Sequence, residues 1–413
     1  MKRLGPVLGI LIIAILCVVV AGGLFIWSQQ SRPSQVAAEP TAAPTATARA
    51  AAAARTTPSA TPAKAPAMRV PAATATPAKI VAANVFDGPY YRLYFTKPFY
   101  PEKPDDRFGG IAADLIRDLD GAQKSIDIAS FEIDLDPVVD ALIRAAQRGV
   151  QVRVATDSEN YETPDDPNGV LRRLKDGGVQ VSLENAAGYM HNKFYIIDEK
   201  VLWTGSWNLT VNDTYRNNNN TMRLTDAKLI ANYKKRMDEF MAGRFHGSAN
   251  KTVPNPTVTE AGGVTIENYF SPTGGGKQAI QKRLEAAQKS IKVLAFSFTD
   301  DDQAKAILDK AKKGVKVQGV FEQRNAQGSG AEYPTFKNAG LDVLTDGNCY
   351  TMHHKVYIID DKTVIFGSYN FSSNADKDND ENLLIVDDPN LAKLFSQEFD
   401  RVYQQAKNPK CGS

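Results

Sequence analysis

Histidine is scarce in this chain, with four among 413 residues, and cysteine is scarcer, with three. No set of Cys, His or Asp has the spacing of a zinc site, so neither a metal nor another cofactor is expected. Charge of one sign is missing too: 49 Lys and Arg against 47 Asp and Glu leave a formal charge of +2. That balance marks no polyanion partner. Lys and Arg are scattered without a long basic stripe, which argues against processive nucleic-acid binding, although a basic groove can hide within a neutral total. Cys17 lies in an apolar run, which leaves Cys349 and Cys411 either to pair or to remain free thiols.

What is present begins with that apolar run. After Lys2 and Arg3, residues 4–27 carry no charge, enough at about 1.5 Å per residue to cross a hydrocarbon core of roughly 30 Å. Ser28-Gln29-Gln30 follows in place of a small-x-small cleavage site, so residues 1–27 are expected to be an uncleaved signal anchor. Lys2 and Arg3 then keep the N-terminus cytoplasmic, and the body of this single-pass membrane protein lies outside. Residues 28–79, mostly Ala, Pro, Thr and Ser, bury too little to offset their ordering entropy and are expected to be a disordered linker. The 43% apolar content supports a real core in the rest.

One block of that body occurs twice. His191, Lys193 and Asp198 lead into Gly205-Ser206-Trp207-Asn208, and His353, Lys355 and Asp360 lead into Gly367-Ser368-Tyr369-Asn370, every residue displaced by the same offset. The duplication is wider than the block: residues 124–128 resemble 289–293, and 149–152 resemble 314–317. Between them Val138, Leu142, Ile143 and Ala146 share one side of a helix. Strands alternating with helices predict an α/β fold with a parallel or mixed sheet covered on both faces. Each block reads as two strands joined by a turn, 194–197 with 201–204 and 356–359 with 363–366. Leu229, Tyr233, Met237 and Phe240, like Leu391, Phe395, Phe399 and Val402, mark a closing helix. The halves span 80–246 and 264–406, with 247–263 as connector. The first half has an extra loop at 97–109, and loops 160–169 and 327–334 follow strand ends where ligands bind in open sheets.

Residues i and i+2 of a strand share a face, so each histidine points with its lysine. If the halves pack about a pseudo-twofold axis, two imidazoles and two ammonium groups meet in one pocket, and no dimer is required. That arrangement suits a phosphodiester. Lys193 and Lys355 neutralise nonbridging oxygens, and Asn208 and Asn370 add amide donors. One imidazole attacks phosphorus; the other protonates the leaving alcohol and then activates water. Lysines at these positions would repel a metal ion. Ser206 and Ser368 are assigned to phosphate or site backbone, Asp198 and Asp360 to the turns, Asp157 and Glu322 to the cleft wall. His354 points away by strand alternation, and His246, outside the repeat, reads as a surface or helix-end residue. Trp203, Trp207, Tyr350 and Tyr369 fit either core or a surface for acyl chains.

The duplicated His-x-Lys-x(4)-Asp with Gly-Ser-x-Asn resembles the signature of the phospholipase D superfamily, over about residues 88–406. The resemblance implies an α/β/α sandwich built from two homologous halves around a pseudo-twofold axis. It further implies metal-independent chemistry through a phosphohistidine, with His191 as nucleophile and His353 as general acid. The family pattern continues with Asn-x-acid. Asn379 and Glu381 conform, whereas Asn217 is followed by Asn219. By resemblance Glu381 crosses over to orient His191, while Asn219 holds His353 without a counter-charge; Asn217, Asn219 and Asn379 join the serines as substrate-side residues. Phospholipid and nucleic-acid phosphodiesters are the implied substrates. Phospholipase D activity on phosphatidyl lipids is preferred, because the anchor brings the body to lipid. A nonspecific extracytoplasmic endonuclease, a phosphatidyl transferase of the cardiolipin synthase type and a catalytically weak phosphate-binding module are the alternatives. The long tether favours a soluble substrate.

Overall fold

The computed structural model describes residues 84–107, 109–161, 169–184, 187–246, 253–272 and 274–411. The expected anchor at 1–27 and linker at 28–79 lie outside them, as does most of the 160–169 loop. Among the described residues no helix is long and apolar enough to cross a membrane.

The first half forms β1 (Asn84–Asp87), β2 (Tyr91–Phe95), β3 (Ser125–Ser130), β4 (Gln151–Asp157), β5 (Gln180–Glu184), β6 (Lys193–Ile197), β7 (Val201–Gly205) and β8 (Asn220–Leu224). The second forms β9 (Thr257–Thr259), β10 (Thr265–Ser271), β11 (Ser290–Ala295), β12 (Lys316–Phe321), β13 (Asp342–Thr345), β14 (Lys355–Ile359), β15 (Thr363–Gly367) and β16 (Glu381–Asp387). The first sheet runs β1-β2-β8-β7-β6-β3-β4-β5, and the second repeats that order strand for strand. Both are mixed. β3, β4 and β5 are parallel, as are β11, β12 and β13, while the motif strands pair antiparallel.

Alternation along β6 explains the layering. Phe194 and Ile196 enter a core shared by the two halves, whereas Tyr195 and Ile197 enter an outer core under helices Gly110–Gly121 and Asp136–Gln147. In the second half Val356 and Ile358 face the shared core, and Tyr357 and Ile359 the other outer core. Helices Ala227–Met241 and Pro389–Lys407 fill the middle with the residues their spacing predicted, Leu229, Tyr233, Met237 and Phe240 and Leu391, Phe395, Phe399 and Val402. Each starts at an aspartate cap: Asp226 accepts from Leu229 N, Asp388 from Asn390 N. Fully burying each such side chain contributes about 1.5–3 kcal/mol, which makes the shared core the main cohesion between halves.

Three features differ from expectation. β5 and β13 precede the motif where only a helix was expected, and β8 and β16 follow it. β9 lies inside the segment read as connector. These strands are short or begin in polar residues, so their periodicity is weak. Trp203, Trp207 and Tyr369 are core, not a lipid surface: the two indoles lie in the first outer core with Nε1 bonded to Asp118 and Thr214. Cys349 and Cys411 form a disulfide, Cα atoms 5.2 Å apart.

Candidate active site

The two motifs meet through reciprocal backbone contacts. Met190 bridges to Asp380 and Asn218 to Met352. Beside them His191 N donates to Asp380 O, and His353 N to Asn218 O, both at 2.9 Å. Each histidine is therefore fixed by the chain leading into the other half's last strand, which is the pseudo-twofold relation seen in atoms. His191 Nδ1 lies 2.9 and 2.8 Å from the Glu381 carboxylate oxygens. His353 Nδ1 lies 2.9 Å from Asn219 Oδ1. With Nδ1 held in this way, Nε2 is the nitrogen left for chemistry.

Ser206 and Ser368 sit behind these contacts. Ser206 Oγ donates to Asn219 Oδ1 at 2.8 Å, and Ser368 Oγ donates to Glu381 Oε2. Both serines are fully buried and accept from Asn220 N and Asn382 N. Instead of touching phosphate they set the groups that set the histidines. The preceding glycines allow this approach, since a Cβ on Gly205 would lie 2.3 Å from Asn220 O and one on Gly367 2.1 Å from Asn382 O.

His191 and His353 line one cleft of about 410 Å³ with Phe131, Glu132, Asn208, Thr210, Asn217, Phe296, Glu322, Arg324 and Thr351 in its wall. Lys193 and Lys355 are buried behind it. Each Nζ donates to the carbonyl of its own histidine, at 2.9 and 2.8 Å. Sequence reasoning missed the aromatic pair Phe131 and Phe296. Their rings lie edge-on to His191 and His353 at 5.0 and 4.8 Å, with Lys193 and Lys355 over them at 5.3 and 4.4 Å. Matched phenylalanines just after matched strands were the available signal.

Burial, then Lys193 and Lys355, holds His191 well below the usual imidazole range. Burial also lowers His353, against Asp213, with Lys355, Lys193 and His191 adding to the drop. Burial brings Lys193 down to about 8 and Lys355 well below the lysine range. It pushes Glu381 up to about 8 against the pull of Lys193, Ser368 and Lys355. Each lysine acts on both histidines, so four titratable groups share one field. These directions favour neutral imidazoles at both histidines, the form a nucleophile needs at His191, and at His353 Asp213 works against them.

The expectation that His353 lacks a counter-charge is corrected. Asp213 Oδ2 lies 3.4 Å from His353 Nδ1, and the aspartate is buried. It accepts from Asn208 N at 2.9 Å, Asn208 Nδ2 at 2.8 Å and Asn217 Nδ2 at 2.7 Å. Burial alone would raise it, but His353 and these hydrogen bonds leave it below the usual carboxylate range.

The remaining residues divide. Asn208 and Asn217 line the cleft and hold that aspartate, whereas Asn370 and Asn379 are outside its wall; Asn379 Oδ1 accepts from Tyr189 N at 3.2 Å. Asp198 and Asp360 sit at the far ends of β6 and β14, where they accept from the backbone N–H groups of 123–125 and 288–290. Glu322 lines the cleft; Asp157 instead accepts from Met190 N at 2.8 Å. His354 is buried between Glu398 and Asn220. His246 is not a plain surface residue: it lies 3.1 Å from both Glu184 and Asp380. Among the described residues no group of three His, Cys, Asp or Glu is placed to hold a metal ion.

Two copies of one mixed-sheet domain around a shared histidine pair define the class. Residues 115–241 and 280–403 each match the family described as cardiolipin synthase, PLD-like domain, and the chain belongs to the phospholipase D superfamily. It is 32% identical over 124 residues to a mitochondrial cardiolipin hydrolase of Chlamydomonas reinhardtii, covering 30% of this chain and 56% of that one. A phospholipase D of Rickettsia prowazekii is 30% identical over 151 residues, covering 37% of this chain and 74% of its own length. The match thus spans little more than half of the cardiolipin hydrolase. The crystal structure of a phosphatidylserine synthase from Haemophilus influenzae aligns with a TM-score of 0.54 at 14% identity, over 72% of this chain and 84% of that one, which shows a shared fold.

Proposed function

We propose that the chain hydrolyses phosphodiesters of phosphatidyl lipids through a phosphohistidine at His191. The observation that carries this is the pair of imidazoles on one cleft, each tied back through Nδ1. His191 Nε2 attacks phosphorus, and the P–O bond to the alcohol breaks as His353, protonated from solvent once the anionic phosphodiester enters the cleft, delivers its Nε2 proton to the departing oxygen. Neutral His353 then takes a proton from water, whose oxygen attacks phosphorus and releases His191. Glu381 accepts Nδ1–H and stabilises the positive phosphoimidazole. Lys193 and Lys355 place two charges behind the histidines where phosphate oxygens gain charge. In this chemistry the lysines do what a metal would otherwise do. Both halves supply the site, so a single chain suffices.

Charge in the wall favours lipid over nucleic acid. Glu132, Asp213 and Glu322 oppose Arg324 there, which disfavours a polyanion tracking along the cleft. Phe131 packs against Tyr189, 39% exposed, giving an apolar rim beside His191. The relatives named cardiolipin hydrolase and phospholipase D support the same choice. The disulfide fits an extracytoplasmic body, held to the membrane through residues 1–27.

The test gives the full chain labelled phosphatidyl vesicles and single-stranded DNA in chelator, with His191→Ala as control. Head-group release that the variant abolishes is expected. Turnover of DNA alone would overturn the lipid reading, transfer of the phosphatidyl group to added alcohol in place of water would make the chain a transferase, and loss of activity in chelator would overturn the metal-free chemistry.

A further inference from the structure

We propose that Asp213 is the counter-charge of His353, a positioning residue that shares with Asn219 the work Glu381 does alone for His191; its catalytic consequence rests on the hydrolase reading above. The repeat makes the exchange visible. Asn212 O accepts from Asn217 N at 2.8 Å, and Asn374 O from Asn379 N at 2.9 Å, so the two segments are in register. In that register Asp213 matches Ala375, and Asn219 matches Glu381. The first half carries its acid where the second has a methyl group, and an amide where the second has its acid.

The two jobs of a glutamate are separated in space. Asn219 Oδ1 takes two donors, Ser206 Oγ at 2.8 Å and His353 Nδ1 at 2.9 Å, while its Nδ2 donates to Asp213 O at 3.1 Å. These three bonds fix the amide orientation, so Asn219 specifies the imidazole tautomer. An amide brings no charge. Asp213, at 3.4 Å from Nδ1, supplies it without taking over the direct hydrogen bond. Asn208 and Asn217 hold the carboxylate in place, giving the Asn of Gly-Ser-x-Asn a role in this half that the sequence pattern does not reveal.

The groups facing this pair define what Asp213 must offset. Lys355, Lys193 and His191 press on His353 with positive charge, and Glu132 and Asp134 face Asp213 from the segment after β3. Without Asp213, His353 would meet those positive charges through an amide alone, and its proton affinity, already lowered by burial, would fall further. With Asp213 both histidines have a carboxylate, so the division of labour rests on contact geometry: direct and two-pronged at His191, through an intervening amide at His353.

Four histidines make an imidazole titration of the histidine-labelled full chain tractable. Asp213→Asn is expected to move the His353 midpoint down and leave that of His246 in place. An unchanged His353 midpoint would overturn the proposal whether or not the protein is a hydrolase. Kinetics test the consequence: Asp213→Asn should slow an ester with a poorly leaving alcohol by about ten- to a hundredfold, and a p-nitrophenyl ester, which leaves without a proton, far less. Equal loss on both would show a merely structural role. Asp213→Ala with Asn219→Glu copies the second half and should restore the midpoint and the slow substrate; failure of a folded double variant to do so also counts against the proposal. If the unaltered protein turns over neither ester, the hydrolase reading fails while the titration still decides on Asp213.

Discussion

Replacing Glu381 by glutamine should separate activity from stability. The carboxyl is fully buried, takes His191 Nδ1 and Ser368 Oγ, and is pushed up to about 8 from 4.5, mainly by burial. A carboxyl whose folded value lies above its unfolded one burdens the fold progressively as pH rises from the unfolded to the folded value, here between about 4.5 and 8. At pH ~7 that burden is on the order of 3 kcal/mol. Glutamine removes it while keeping the shape: its Oε1 accepts from Nδ1–H, and its amide donates to Ser368 Oγ once that hydroxyl turns. Glu381→Gln is therefore expected to keep or raise Tm at neutral pH and to flatten the loss of stability between pH ~5 and ~8. The covalent step behaves oppositely: the positive charge of the forming phosphoimidazole draws the Glu381 carboxyl into its ionised form, and the charge-assisted hydrogen bond of about 1.5–3 kcal/mol that results is lost in the amide. A drop in kcat/KM of about ten- to a hundredfold follows. Calorimetry from pH ~5 to ~8 beside turnover of phosphatidyl vesicles measures both. A variant that is clearly less stable at pH ~7 yet equally active would refute the reasoning on both counts.

Two further outcomes follow from packing and charge. Gly205→Ala forces a Cβ to within 2.3 Å of Asn220 O, so it should cost about 1–3 kcal/mol and, through Ser206, weaken the hold on His353; unchanged Tm and turnover would contradict the close approach. His246 is raised to about 9 because Asp380 and Glu184 outweigh its burial. Its contribution is present below the ordinary imidazole value of about 6.5 and is lost as pH rises through about 9; discounting for solvent screening it is worth about 1–3 kcal/mol. His246→Gln should erase that alkaline loss in a Tm-against-pH series, and an identical slope in both proteins would refute the pairing.

Much of the fold was legible because duplication is a long-range signal. A constant offset between two polar blocks predicted matching halves, and the sheets do run in the same order. Apolar spacing placed the two long helices of the shared core for the same reason. Edge strand β9, at three residues, is too short to show a period, and β8 begins in an asparagine run that reads as loop. At the site, the residues that sequence brought together were those the repeat preserves. Asp213 escaped because its counterpart is Ala375, so comparing halves flags nothing there. Its contact with His353 also spans the chain from one half to the other. Ser206 and Ser368 were placed on the substrate side because a hydroxyl beside a phosphate motif suggests a ligand contact. Only the close approach of β7 to β8, and of β15 to β16, shows that each points into the protein.

Trapping the covalent intermediate tests the central claim most directly. A phosphatidyl substrate labelled in its phosphate, quenched within a turnover and mapped by mass spectrometry, should leave the labelled phosphatidyl group on His191. Label on His353, or turnover with no covalent species at all, would contradict the account.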